Sequence, residues 1–143
     1  MNKIFSTFIL MALTIAAYTA VGARYKSTPQ NSSIVGTWVS EKDRRWKLVF
    51  TADLKCKQYY ENELNETDSY VISNTSPQCG ETVPIEEHTS YLQLTNLADG
   101  DKICYEINGI SPAILSLRVV DRGGAMVFKR QRNSKNQEKT KRY

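Results

Sequence analysis

Ile34-Val35-Gly36-Thr37-Trp38-Val39, followed after a polar break by Trp46-Lys47-Leu48-Val49-Phe50, is the stretch whose reading decides the fold. A glycine two residues ahead of a tryptophan, at the start of a β-patterned chain, suits a strand that closes the floor of a small barrel. Glycine admits the close approach of a neighbour, and one indole is a large plug for the opening. In the second run Trp46, Leu48 and Phe50 fall on one face, with Lys47 and Val49 on the other.

The same period of two continues down the chain. It predicts strands over 35–40, 45–51, 54–61, 66–73, 90–95, 102–108, 114–120 and 125–130. Their inward set continues with Tyr70 and Ile72, Leu92 and Leu94, then Ile103, Tyr105 and Ile107. Leu115, Leu117 and Val119 follow, then Met126 and Phe128. Turn chemistry separates the runs at Thr51-Ala52-Asp53, Glu61-Asn62-Glu63, Ala98-Asp99-Gly100-Asp101, Gly109 to Pro112 and Asp121 to Gly124. Between Asn74 and Thr89 the pattern lapses. Pro77, Gly80 and Pro84 argue against a central strand there, leaving a helical turn around 81–88 or a short edge strand over 82–85 as open readings.

Eight short strands and no helical period predict an all-β chain, either a sandwich or an eight-stranded antiparallel up-and-down barrel. In a meander the first strand leaves the floor and the eighth returns to it, which favours the barrel. Trp38 and Arg130 then lie at the same end of adjacent strands, where a guanidinium can stack on an indole and join first strand to last. The other reading of Arg130 is that it begins the basic C-terminal tail.

Gly36-Thr37-Trp38 resembles the glycine-x-tryptophan mark of the lipocalins and their calycin relatives. The later runs, Trp46 to Phe50, Cys104 to Ile110, Leu115 to Arg118 and Phe128-Lys129-Arg130, are similar to small secreted bacterial lipocalin-like domains. The resemblance spans 34–130. It implies a calycin-type barrel closed by Gly36, Trp38 and Arg130, with a lumen that in many larger relatives holds a small apolar ligand. The lumen candidates are Trp46, Phe50, Tyr70, Leu92, Tyr105, Leu117 and Phe128. With so many large inward side chains the expected cavity is small, open at the end away from Trp38, and sized for a short acyl chain or one aromatic ring. The alternative is a filled barrel acting as a protein–protein interaction module. Some periplasmic relatives inhibit proteases through an N-terminal arm, for which 24–33 is the candidate here.

Cys56, Cys79 and Cys104 are odd in number, so one internal bridge at most is expected. On the meander, Cys56 and Cys79 both fall at the floor end and Cys104 at the other, which predicts a Cys56–Cys79 disulfide. Cys79–Cys104, or free thiols, are the other readings. Neither these cysteines nor the lone His88 has metal-ligand spacing, and no nucleotide or phosphate fingerprint appears, so no metal, no cofactor and no enzymatic activity are expected.

Residues 1–23 have a Lys3 start, an apolar run from Phe8 to Ala20 and small residues at Val21-Gly22-Ala23, the pattern of a cleaved signal peptide. Residues 24–33 read as a flexible lead-in and 131–143 as a basic, disordered tail. The stretch from Lys129 to Tyr143 carries seven of the 19 Lys and Arg against the single acid Glu138, so the net charge of +4 comes from the tail. With almost no aromatic interleaving, that tail does not suit nucleic acid. The expected product is secreted or periplasmic, without a transmembrane segment after cleavage. Its partner is a small hydrophobic molecule or an exported protein, and its oligomeric state is left open.

Overall fold

In a computed structural model, residues 33–132 are described; the expected signal peptide, nearly all of the expected lead-in and the body of the basic tail lie outside them. The strands are β1 (Gly36–Ser40), β2 (Trp46–Phe50), β3 (Lys55–Tyr60), β4 (Glu63–Ser73), β5 (Tyr91–Asn96), β6 (Lys102–Ile110), β7 (Ile114–Val119) and β8 (Ala125–Arg130). Each pairs antiparallel with the next, and β8 returns to β1, so the sheet closes into an eight-stranded up-and-down barrel. The closing register sets Trp38 opposite Arg130 and Ser40 opposite Phe128.

Alternation dictates the core. Trp38, Leu48, Phe50, Cys56, Tyr70, Leu92, Leu94, Tyr105, Ile107, Leu115, Leu117 and Phe128 are buried and form one cluster with Ile34. The indole of Trp38 donates from Nε1 to the Ile34 carbonyl at 2.7 Å, drawing the segment ahead of β1 under the barrel as its floor. Above it the rings of Phe50 and Tyr70 meet edge to face at 5.2 Å, and those of Trp46 and Phe128 do the same at 5.2 Å.

Strand β4 begins at Glu63, three residues before the predicted start. Glu61 and Asn62 both take positive φ (52° and 72°), giving a two-residue hairpin turn whose twist matches the paired strands and carries pairing on to Tyr60–Glu63. A register shift at Gln58/Tyr59 follows, restoring the inward face at Glu66. No strand forms over 82–85; only an isolated bridge, Gln78–Glu81, and a turn at 86–89 occur in this loop. The meander is therefore uninterrupted.

The disulfide corrects the expected pairing: it joins Cys79 to Cys104, with Cα atoms 5.9 Å apart, and Cys56 is a buried free thiol. Matching the ends of the barrel gave Cys56–Cys79, but the faces decide. Cys56 stands opposite Phe50 and Asp68 and belongs to the inner core. Cys104 stands opposite Gln93 on the outer face, between the inward Ile103 and Tyr105. The 74–89 loop turns back over that outer face, where Val83 and Gln78 are buried and the Tyr91 hydroxyl donates to the Pro84 carbonyl at 2.7 Å. Cys79 thereby reaches Cys104. This bridge fits an oxidising, extracytoplasmic location. Among the described residues no helix is long and apolar enough to cross a membrane.

Candidate ligand site at the barrel mouth

The floor end is locked. The Arg130 guanidinium lies 4.1 Å from the Trp38 ring centroid and donates from Nη1 to the Val35 carbonyl at 2.7 Å and from Nη2 to the Ser33 carbonyl. Gly36, at φ +143°, makes room for it: a Cβ there would sit 2.3 Å from Nη1. Glycine, tryptophan and arginine are thus one device that seals the bottom and ties β1 to β8.

All of the lumen candidates lie on the inner face, but at different depths. Phe50, Tyr70, Leu92, Leu117 and Phe128 are almost wholly buried, and the Tyr70 hydroxyl donates to the Thr51 carbonyl at 3.2 Å. These side chains fill the lower barrel. Trp46 and Tyr105 reach the upper part. Trp46 is half-buried and lines a groove of about 860 Å³ at the end away from Trp38. The groove is bounded by the β1–β2 and β7–β8 connections, and Val119 and Met126 join Trp46 in its apolar wall. Arg45 on this rim is engaged by Asp43 at 2.9 Å and Glu61 at 3.2 Å.

On the inner face of β3 and β4 stands a polar group that the sequence reading did not single out. Asp68, 2% exposed, faces inward opposite Cys56, and Glu66 does so one inner position nearer the rim, opposite Gln58. Gln58 bridges them, its Nε2 donating to Asp68 Oδ2 at 2.9 Å and to Glu66 Oε2 at 3.1 Å. Burial pushes the Asp68 carboxyl above the usual carboxylate range, against the Gln58 hydrogen bond, with Asp99 adding repulsion. Tyr105 is pushed up to about 12 by burial and then by the neighbouring Cys56, Asp68 and Glu66. The Cys56 thiol is raised by burial and by Asp68. The signal that finds this group is the same alternation: if Tyr70 and Ile72 point inward, so do Glu66 and Asp68 on the same strand.

His88 lies in the outer loop, and Cys104, bonded to Cys79, is not a free thiol. Among the described residues no three His, Cys, Asp or Glu side chains converge as metal ligands. Comparison with protein families, with curated proteins and with solved structures finds no match to this chain.

Proposed function

We propose that this chain is an exported, non-catalytic, lipocalin-like barrel that binds a small, largely apolar molecule at its open end. The observation that carries this reading is the groove of about 860 Å³ walled by Trp46, Val119 and Met126, within the range of pockets that hold small ligands. The filled lower barrel limits the ligand to the mouth, so a compact ring suits it better than a long lipid. The apolar run at 8–20, the small residues before Arg24 and the outer-face disulfide support delivery to an oxidising compartment after removal of 1–23. A buried Cys56 thiol held protonated, and an oxidised Cys104, support a binding role over thiol chemistry.

The test is titration of the mature protein with 2-phenylethanol, a neutral one-ring probe, followed by calorimetry and by tryptophan fluorescence. Saturable one-to-one binding that perturbs Trp46 and is weakened by Trp46→Ala is expected. Absence of saturable binding by this and by larger neutral aromatic probes removes the reading. An interaction module then gains, favoured by Tyr60, Leu64 and Leu97, which stand exposed on the same rim.

A further inference from the structure

The groove at the mouth carries an uneven charge. Its lining holds three cations, Lys42, Arg45 and Arg122, against two acids, Glu41 and Asp43. Both acids are already engaged. Asp43 holds Arg45 at 2.9 Å, and Glu41 is paired at 2.7 Å with Lys129, a β8 residue that does not line the groove. Arg45 is matched a second time by Glu61 at 3.2 Å. Lys42 and Arg122 are left over: neither takes part in an ion pair among the described residues.

These two cations come from different loops. Lys42 stands in the β1–β2 connection and Arg122 in the β7–β8 connection, and both share the groove with the apolar surface of Trp46, Val119 and Met126. Gly123 and Gly124 continue the wall after Arg122, and a Cβ at either would meet nothing within 4 Å, so this side stays open to an entering molecule. The other acids of the mouth do not offset the two charges locally. Glu61, Glu66 and Asp68 belong to the β3–β4 side and none of them lines the groove, while Asp121 lines the separate cleft on the outer face.

On the mouth-binding reading, we propose that the ligand is an organic anion, a small aromatic or short-chain carboxylate. Its charged group lies between Lys42 and Arg122, and its apolar body rests against Trp46, Val119 and Met126. An ionised carboxylate only accepts hydrogen bonds, and an ammonium and a guanidinium only donate them, so the three groups match without moving a proton. Exposed ion pairs are weak singly. Two of them acting on one anion beside an apolar wall favour it over a neutral molecule of the same shape by a modest factor. An ammonium is the poorer occupant, because the acids of the lining are already matched and it would meet two unmatched like charges.

Three probes of one shape make the test: 3-phenylpropionate, 2-phenylethanol and 2-phenylethylammonium, titrated calorimetrically into the mature protein at pH 7 and low salt. The carboxylate is expected to bind about three- to tenfold more tightly than the alcohol, and the ammonium more weakly than either. Lys42→Gln and Arg122→Gln should each lower the ratio of carboxylate to alcohol affinity, and together they should bring it to about one. Both are exposed loop residues, so the barrel is retained. Gly123→Asp sets an acid in the same wall at a position with open space and no positive φ, and it should make the carboxylate bind more weakly than the alcohol. Equal binding of carboxylate and alcohol, tighter binding of the ammonium, or a preference that survives the double substitution overturns the anion assignment and leaves the mouth reading standing. Carboxylate binding that Trp46→Ala leaves unchanged overturns it too, because the anion then sits away from the apolar wall. If none of the three binds, both readings fall.

Discussion

Replacing Gly36 by alanine should cost about 4 kcal/mol, about three quarters of it through Arg130. The added Cβ would stand 2.3 Å from Arg130 Nη1, a distance real side chains do not tolerate, so the guanidinium must move. A flexible side chain usually moves at little cost, but this one is held. Displacement breaks the hydrogen bond to the Val35 carbonyl, at about 2 kcal/mol for a charged donor, and loosens the stack on Trp38, at about 1 kcal/mol. Its Nε is already buried without a partner, so the displaced group has little further solvation to regain nearby. Alanine at φ +143° adds about 1 kcal/mol of backbone strain. For a domain of this size, the total lowers the melting temperature by about 15–30 °C. The assay is urea unfolding followed by far-UV circular dichroism, on a double-mutant cycle of Gly36→Ala and Arg130→Ala. With Arg130 removed, Gly36→Ala should cost only the backbone strain, about 1 kcal/mol, giving a coupling of about 3 kcal/mol. Equal costs in both backgrounds would refute the argument, because the clash would then not be the cause.

Non-reducing peptide mapping should recover Cys79 joined to Cys104, and Cys56 in the native protein should resist thiol reagents until denaturant is added. Cys79→Ser should lower stability by about 2–4 kcal/mol, the worth of closing a loop of this length. Tyr105→Phe should change stability by less than about 0.5 kcal/mol, since it removes a hydroxyl that has no protein partner to lose; a loss of 1 kcal/mol or more would reveal one. Asp68→Asn should raise the melting temperature at pH 7. The folded-state pKa of Asp68 lies above its unfolded value, so the folded state binds the proton more tightly and stability falls as pH rises through that interval. The advantage of the Asn variant should therefore vanish as pH drops below about 3.9, where the unfolded carboxyl is protonated too. A pH-independent difference would mean burial of the charge is not its origin.

Fold and floor were legible because one rule governs both. Alternation over short strands forces side chains to opposite faces, so the positions of Trp38, Leu48, Phe50, Tyr70, Leu117 and Phe128 follow from counting. The pairing of Trp38 with Arg130 follows from an even number of strands. The disulfide was not legible by the same count, because Cys79 lies in a loop where alternation carries no information. What places that loop is tertiary: Tyr91 and Cys104 point outward from β5 and β6 and are buried only when 74–89 folds back over them. Asp68 was readable in principle, one step above Tyr70 on the same face. An aspartate in a strand reads as solvent-facing by composition, and the parity of β4 overrides that expectation.

The division between a filled floor and an open mouth also sets how far affinity can grow with ligand length. Beneath the mouth, Leu48, Leu117 and Phe128 are closed against one another, and the Tyr70 ring is fixed by Phe50 and the Thr51 carbonyl. The apolar wall is thus a single ring of inner residues. Successive inner positions lie about 6.6 Å apart along a strand, so the wall covers on the order of five methylene groups of an extended chain. On the mouth-binding reading, the affinity of primary alkanols should rise by up to about 0.8 kcal/mol per added carbon while the chain gains wall. Beyond hexanol the extra carbons stay in water, and the curve should flatten through decanol. Calorimetric titration of the series from propanol to decanol, each below its solubility limit, measures this directly. A gain that continues unbroken to ten carbons would show that the chain passes Leu48 and Phe128 into the lower barrel, and the floor described above would have to open to admit it.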